Sequence, residues 1–160
     1  MIFATVGTHE QQFNRLVKKV DDIAGKYHLE GVIQIGYSTV IPQYCKYKKL
    51  MGYEEILENM RKAKIVITHG GPASIIQVLQ MGKVPVVVPR QKRFKEHVDD
   101  HQVKFCQKAA EFLSIIPVYE IDELENIVVN YEKITGEMKL KRREESNLEK
   151  IIKYLDGLVD

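Results

Sequence analysis

Short apolar runs recur along this chain, each closed by a glycine or a polar turn and followed by a stretch with helical spacing. Ile2 to Val6 ("IFATV") ends at Gly7, the pattern of a strand buried on both faces. Phe13, Leu16, Val17, Val20 and Ile23 then recur with the period of an amphipathic helix that Gly25 is expected to stop. Val32 to Ile35 predicts a second strand ended by Gly36. Tyr37 to Tyr47 has a proline and no clear period and is read as loop, with Leu50-Met51 a short third strand. Ile56, Leu57 and Met60 mark a helix, and Ile65 to Thr68 a strand. Ile75, Ile76, Val78, Leu79 and Met81 mark a helix ending at Gly82. Pro85 to Val88 is the next strand, and a polar loop leads from it to a helix carrying Val98, Phe105, Ala109 and Ala110. Ile115 to Tyr119 is the last strand. Leu124, Ile127 and Val128 follow on a helix. A charged C-terminal helix over 137–160 has Leu148, Ile151, Ile152 and Leu155 as its apolar stripe.

Alternating strands and helices, with strands that are apolar throughout, argue for a doubly wound parallel sheet. The expectation is one α/β, Rossmann-like domain over 1–160, of about six strands with helices on both faces. No internal repeat, linker or low-complexity segment interrupts it.

Composition narrows the function classes. The chain has 160 residues, 44% hydrophobic and 29% charged, as in a soluble globular protein with a real core. Its net charge of +2 gives no general reason to expect a nucleic-acid partner. Cys45 and Cys106 lack the spacing of a zinc or redox pair, as in a reduced cytoplasmic protein. The N-terminus has no basic region before its six apolar residues, unlike a signal peptide. No run approaches the ~18 apolar residues of a membrane span, so the chain is not expected to cross a membrane itself.

In a doubly wound sheet, ligands bind beyond the carboxyl ends of the strands, where strand order reverses. If the order is 3-2-1-4-5-6, the turns leaving the first and fourth strands face each other. These are Gly7-Thr8-His9 and His69-Gly70-Gly71-Pro72. A helix N-terminus leaves about four backbone N–H groups unsatisfied and carries about half a positive charge, which makes an anion site. Gly70 and Gly71 would let amides approach a phosphate and adopt φ > 0. Pro72 suits the first helical turn, and Ser74 adds a hydroxyl. A tight turn without a ligand is the competing reading. The spacing is neither GxGxxG nor GxxxxGK[ST], which disfavours dinucleotide cofactors and a P-loop.

A second constellation, "PRQKRFKEHVDDHQ", spans Pro89 to Gln102. Arg90, Lys92, Arg93 and Lys95 make its first half basic. Glu96, His97, Asp99, Asp100, His101 and Gln102 make its second half rich in groups that bond sugar hydroxyls. Gln102, in line with Val98 and Phe105, is expected to point inward. Alternatives remain. The basic loop could be a solvated face, Asp99-Asp100 could serve the helix's first turn, and His97 with His101 could share a helical face toward zinc, though no third ligand is evident.

"VGTHEQQFNRLV", "THGGPASI" and "EHVDDHQ", in this order, resemble the donor-binding half of family-28 glycosyltransferases over about Met1 to Val118. The resemblance is nearest to free-standing soluble subunits of two-component transferases of bacterial exopolysaccharide and capsule synthesis, and to the soluble subunit of the eukaryotic dolichol-linked N-acetylglucosaminyltransferase. It implies one half of a GT-B fold. It also implies inverting transfer from a UDP-sugar, galactose first and N-acetylglucosamine second, with no required metal and no cofactor, the UDP-sugar being a substrate. The acceptor would be a polyprenyl-diphosphate-linked saccharide held by a membrane-anchored partner. That partner would keep this chain at the inner face of the plasma membrane.

Carried over by motif, the resemblance places Gly7 and Thr8 near the diphosphate. It puts His69, Gly70, Gly71, Pro72, Ala73 and Ser74 in the diphosphate turn, and Glu96, Asp100, His101 and Gln102 by the ribose and hexose, with Arg90 and His97 as further donor-binding candidates. Ala73 stands where many relatives have a third glycine, and Gln77 where they have a glutamate, which weakens the ribose contact. His9 is the candidate general base, unless the base lies on the partner. Lys139, Lys141, Arg142 and Arg143 precede the last amphipathic stretch and suit docking on the anchored subunit, or equally an ordinary solvated helix. The alternative function is a non-catalytic UDP-sugar-binding or enhancer subunit. A complete sugar-nucleotide enzyme such as an epimerase is disfavoured for a single such domain.

Overall fold

A computed structural model describes residues 1–141 and 147–159. Six parallel strands form one sheet in the order β3-β2-β1-β4-β5-β6. They are β1 (Ile2–Thr5), β2 (Gly31–Gln34), β3 (Lys46–Lys48), β4 (Ile65–His69), β5 (Val86–Val88) and β6 (Ile116–Pro117). The helices between them are α1 (Asn14–Lys26), α2 (Tyr53–Lys62), α3 (Pro72–Gln80) and α4 (His101–Phe112). After β6 come α5 (Leu124–Val129), α6 (Tyr131–Lys141) and α7 (Asn147–Val159).

Side-chain alternation assigns the two faces. Ile2, Ala4 and Val6 point into one core with Phe13, Leu16 and Val20 of the α1 region and with Leu124 and Tyr131. Phe3 and Val66 face Met60 of α2 and Val78 of α3, while Val87 meets Ile75, Leu79, Cys106 and Ala109. Each fully buried Val, Leu, Ile, Phe or Met among them contributes roughly 1.5–3 kcal/mol. The turn after α2 is closed by Lys83, whose Nζ donates to the carbonyls of Met60, Arg61 and Ala63 at 2.6 Å each.

Three expectations need correction. The third strand is Lys46–Lys48, not Leu50-Met51. It is an exposed edge strand held only by β2, in the register Val32↔Lys46 and Gln34↔Lys48, so burial left no apolar signature on it. Gly25 lies inside α1 and does not stop it. A Cβ there would press on the Tyr44 ring at 2.5 Å. The loop holding Tyr44 is tied to α1 by Asp21, whose carboxylate accepts the amides of Gln43, Tyr44 and Cys45. The C-terminal helix expected over 137–160 starts earlier. α6 runs from Tyr131 through Gly136, anchored by the Tyr131 hydroxyl donating to Val84 O at 2.6 Å. α7 then lies on the opposite face, where Ile151 joins the α3–α4 core and Tyr154 meets Phe105 edge-on. Of the expected stripe, Ile151 is buried while Ile152 and Leu155 are exposed. Lys139 is exposed. Arg142, Arg143 and the side chains of Lys141 and Leu148 lie outside the described residues.

Candidate functional site

The sheet order puts the carboxyl ends of β1 and β4 side by side, so the two glycine turns meet. Gly7 has φ +77° and donates its N–H to Thr5 Oγ1 at 3.2 Å. The His69 imidazole is clamped between the two turns. A Cβ on Gly7 would stand 2.4 Å from its Nε2, and one on Gly71 would stand 2.1 Å from its Cε1. His69 Nδ1 accepts the Gly71 N–H at 3.0 Å, which leaves the ring proton on Nε2. Burial and then the nearby Arg90 charge push the His69 pKa down to about 3, so this imidazole is neutral.

This changes the reason for the glycine pair. Gly71 has φ −79°, and Gly70 is not among the positive-φ residues. Neither supplies the left-handed backbone expected of them. They supply room. A Cβ on Gly70 would lie 2.9 Å from the Gln102 Cβ. The Gly70 N–H is taken by Gln102 Oε1 at 3.1 Å, and the same oxygen accepts the Arg90 N–H at 3.0 Å. Gln102 does point inward, as expected, but as a brace between the β4 and β5 turns. The first-turn amides left without an intrahelical acceptor are therefore those of Ala73 and Ser74, after Pro72 at the start of α3. That helix has no side-chain cap. Pro72 and Ala73 are exposed, and Ser74 and Gln77 half-buried.

Arg90 and Glu96 form the frame behind the crevice and not its wall. Both are fully buried. Arg90 donates to Val6 O at 2.8 Å, Gln11 O at 2.8 Å and Glu96 O at 2.9 Å, and lies over the Phe13 ring. Burial pulls its pKa down to about 10, so it remains charged at neutral pH. Glu96 accepts from Arg15 Nε at 2.9 Å, from Arg15 Nη2 at 3.0 Å and from the Gln91 N–H at 3.1 Å. With both oxygens so engaged, its carboxylate has no place as a sugar acceptor. Arg15 was not singled out in the sequence. It sits 81 positions from Glu96, and no local pattern marks the pair.

The remaining candidates gather at the crevice mouth. His9 and His97 stack with ring centroids 4.4 Å apart and planes 16° from parallel. His9 Nε2 bonds Gln11 Oε1 at 2.8 Å. The oxygen only accepts, so Nε2 carries the proton and Nδ1 has the free lone pair. Burial, then the neighbouring His9, lowers the His97 pKa, although Asp99 opposes them. His97 and His101 do not share a helix face. Asp99 accepts the His101 N–H at 3.0 Å, so α4 begins at His101, and Val98 is left in solvent. Asp99 also meets His97 Nδ1 at 3.1 Å and His101 Nδ1 at 2.6 Å. Asp100 is exposed and accepts the Lys92 N–H at 3.0 Å. Thr8 is exposed beside Gly7. Among the described residues, no three His, Cys, Asp or Glu side chains gather as a metal site. Burial raises the Cys45 thiol to about 12 and Cys106 to about 11, so neither is a nucleophile near neutral pH.

A cavity of about 580 Å³ lies at the other end of the sheet, lined by Met1, Ile2, Leu29, Ile65, Val128 and Tyr131. Lys64 and Lys133 also line it, Lys64 paired with Glu132, whereas an uncapped helix start lies at the β1–β4 crevice, the better setting for a pyrophosphate.

A parallel sheet of this order, with an uncapped helix opposite a positive-φ glycine at the switch point, defines a Rossmann-like domain of the kind that makes half of a GT-B glycosyltransferase. The solved structures agree on the fold. The glycotransferase of kitacinnamycin superposes with a TM-score of 0.60 at 18% identity, covering 81% of this chain and 34% of that one. MurG of Acinetobacter baumannii superposes with a TM-score of 0.55 at 16% identity, covering 81% and 40%. The chain belongs to glycosyltransferase family 28, whose C-terminal domain matches residues 1–155. It is also similar to the UDP-N-acetylglucosamine transferase subunit ALG13 of Mus musculus, 32% identical over 108 residues, and of Yarrowia lipolytica, 30% identical over 86 residues. These matches cover 59% and 52% of this chain, but only 9% of the mouse protein and 34% of the yeast one.

Proposed function

We propose that this chain is the donor-binding half of a UDP-sugar-dependent inverting transferase, completed by a membrane-anchored subunit that presents a polyprenyl-diphosphate-linked saccharide. The observation that carries the reading is the bare N-terminus of α3, open beside Gly7 at the switch point of a family-28 domain. The donor diphosphate sits against the Ala73 and Ser74 amides. Thr8 and Gln77 flank it, and the His9–His97 pair borders the sugar. As the acceptor oxygen attacks C1 and the C1–O bond to the diphosphate breaks, negative charge grows on the departing UDP, where the helix end stabilises it. The hydroxyl proton passes to a base, and Nδ1 of His9 is this chain's candidate.

Galactose was the first expectation for the sugar. The relatives named as UDP-N-acetylglucosamine transferase subunits favour N-acetylglucosamine instead. A setting in bacterial exopolysaccharide or capsule synthesis is part of the same reading, supported by the motifs alone. The test is an assay of this chain, the anchored subunit and the mixture, each with UDP-N-acetylglucosamine and with UDP-galactose. Transfer only in the mixture, with the N-acetylglucosamine donor, is expected. Full transfer by the anchored subunit alone would leave this chain a non-catalytic accessory.

A further inference from the structure

The sheet has two edges of opposite character. From Gly31 to Tyr53 the chain has no Asp or Glu and carries Lys46, Lys48 and Lys49. From Tyr119 to Glu132, around the β6 edge, it has five acidic residues and no Lys or Arg. Four of those five carboxylates have a cationic partner within the domain. Glu120 pairs with Arg93, Asp122 with Lys19, Glu125 with Lys26 and Glu132 with Lys64. On the basic edge, Lys48 pairs with Glu55 at 2.8 Å, but Lys46 and Lys49 have no carboxylate partner among the described residues, Lys49 lying over the Tyr37 ring instead. Exposed Tyr44, Tyr47, Leu50 and Tyr53 accompany these lysines along the chain, Tyr44 and Tyr53 more than three-fifths exposed.

We infer that this β3 edge is a docking surface for an anionic phospholipid bilayer. Tyrosine favours the headgroup layer of a membrane, and unpaired lysines are drawn to anionic lipid. The alternatives fit less well. A second copy would bring lysine against lysine, the device by which edge strands avoid pairing. An added protein strand would find only three residues to pair with. The unpaired lysines turn the β3 edge toward a negative plane. The crevice lies at the strand ends, between the two edges, and stays open.

The inference does not depend on the donor site, so its test can fail while the proposed function stands. The purified chain is sedimented with phosphatidylserine-rich vesicles and with phosphatidylcholine vesicles, at low and high salt. Binding is expected only to the first and only at low salt. Lys46→Glu/Lys49→Glu is expected to weaken it by about tenfold or more. These are surface positions, so UDP binding should be unchanged and serves as the control for folding. The chain has no tryptophan, so Tyr53→Trp gives a single reporter whose emission should shift to the blue on the same vesicles. Equal sedimentation with both lipids, full binding by the double variant, or unmoved emission would each overturn the inference. So would capture of an acidic protein on this face while vesicles are ignored.

Discussion

Gly71 matters for what it lets His69 do. With φ at −79°, an alanine there strains no backbone, yet its Cβ would collide with the imidazole. Gly71→Ala should therefore lower UDP affinity by about tenfold or more while the circular dichroism spectrum stays native, since the displaced ring disturbs the start of α3. In a His69→Ala background the same change should cost little, because the clash is gone. Additive losses in calorimetric titrations would show that His69 is not the link. His69 also makes a pH prediction. Folded, it resists protonation until about pH 3, whereas unfolded it takes a proton near its ordinary 6.5. Its contribution to stability is complete above pH 6.5 and is lost as pH falls from there toward 3, by at most about 1.4 kcal/mol per pH unit. Urea unfolding at pH 7 and pH 5 should show this slope in the native chain and less of it in His69→Gln. The motif that contains these residues was readable in one sequence. The reason for its glycines was not, because the side chains that need the space come from the turn's own histidine and from Gln102, 32 positions away.

Elements were legible in proportion to their burial. The runs that became β1, β2, β4 and β5 are covered on both faces and carry an unbroken apolar signature. β3 is an exposed edge, and its three residues look like loop. The start of α4 was misplaced because Val98 imitates helical spacing, whereas the helix starts at His101, whose N–H the Asp99 carboxylate accepts. What positions the Pro89–Gln102 segment is long-range charge. Arg15 reaches Glu96, Pro89 O and Tyr119 O from α1. Arg15→Met leaves Glu96 buried without its ion partner and should cost about 3–5 kcal/mol in urea unfolding. Arg15→Met/Glu96→Gln should recover part of that loss. A double variant no more stable than the single one would contradict the assignment of this pair as a buried, mutually compensating unit.

On the proposed reading, the whole domain is one wall of a shared crevice. It offers positive helix potential, a stacked histidine pair and polar side chains on the side where strand order reverses. The opposite wall belongs to the proposed second subunit. The strand order that creates this arrangement was an assumption at the level of sequence, and the observed β3-β2-β1-β4-β5-β6 order supplies it. Amide chemical-shift mapping of the isotope-labelled chain during titration with UDP tests the arrangement most directly. The largest shifts are expected at Thr8, Ala73, Ser74 and Gln77. Shifts centred instead on the cavity around Ile2, Leu29 and Tyr131, with the start of α3 unmoved, would contradict it.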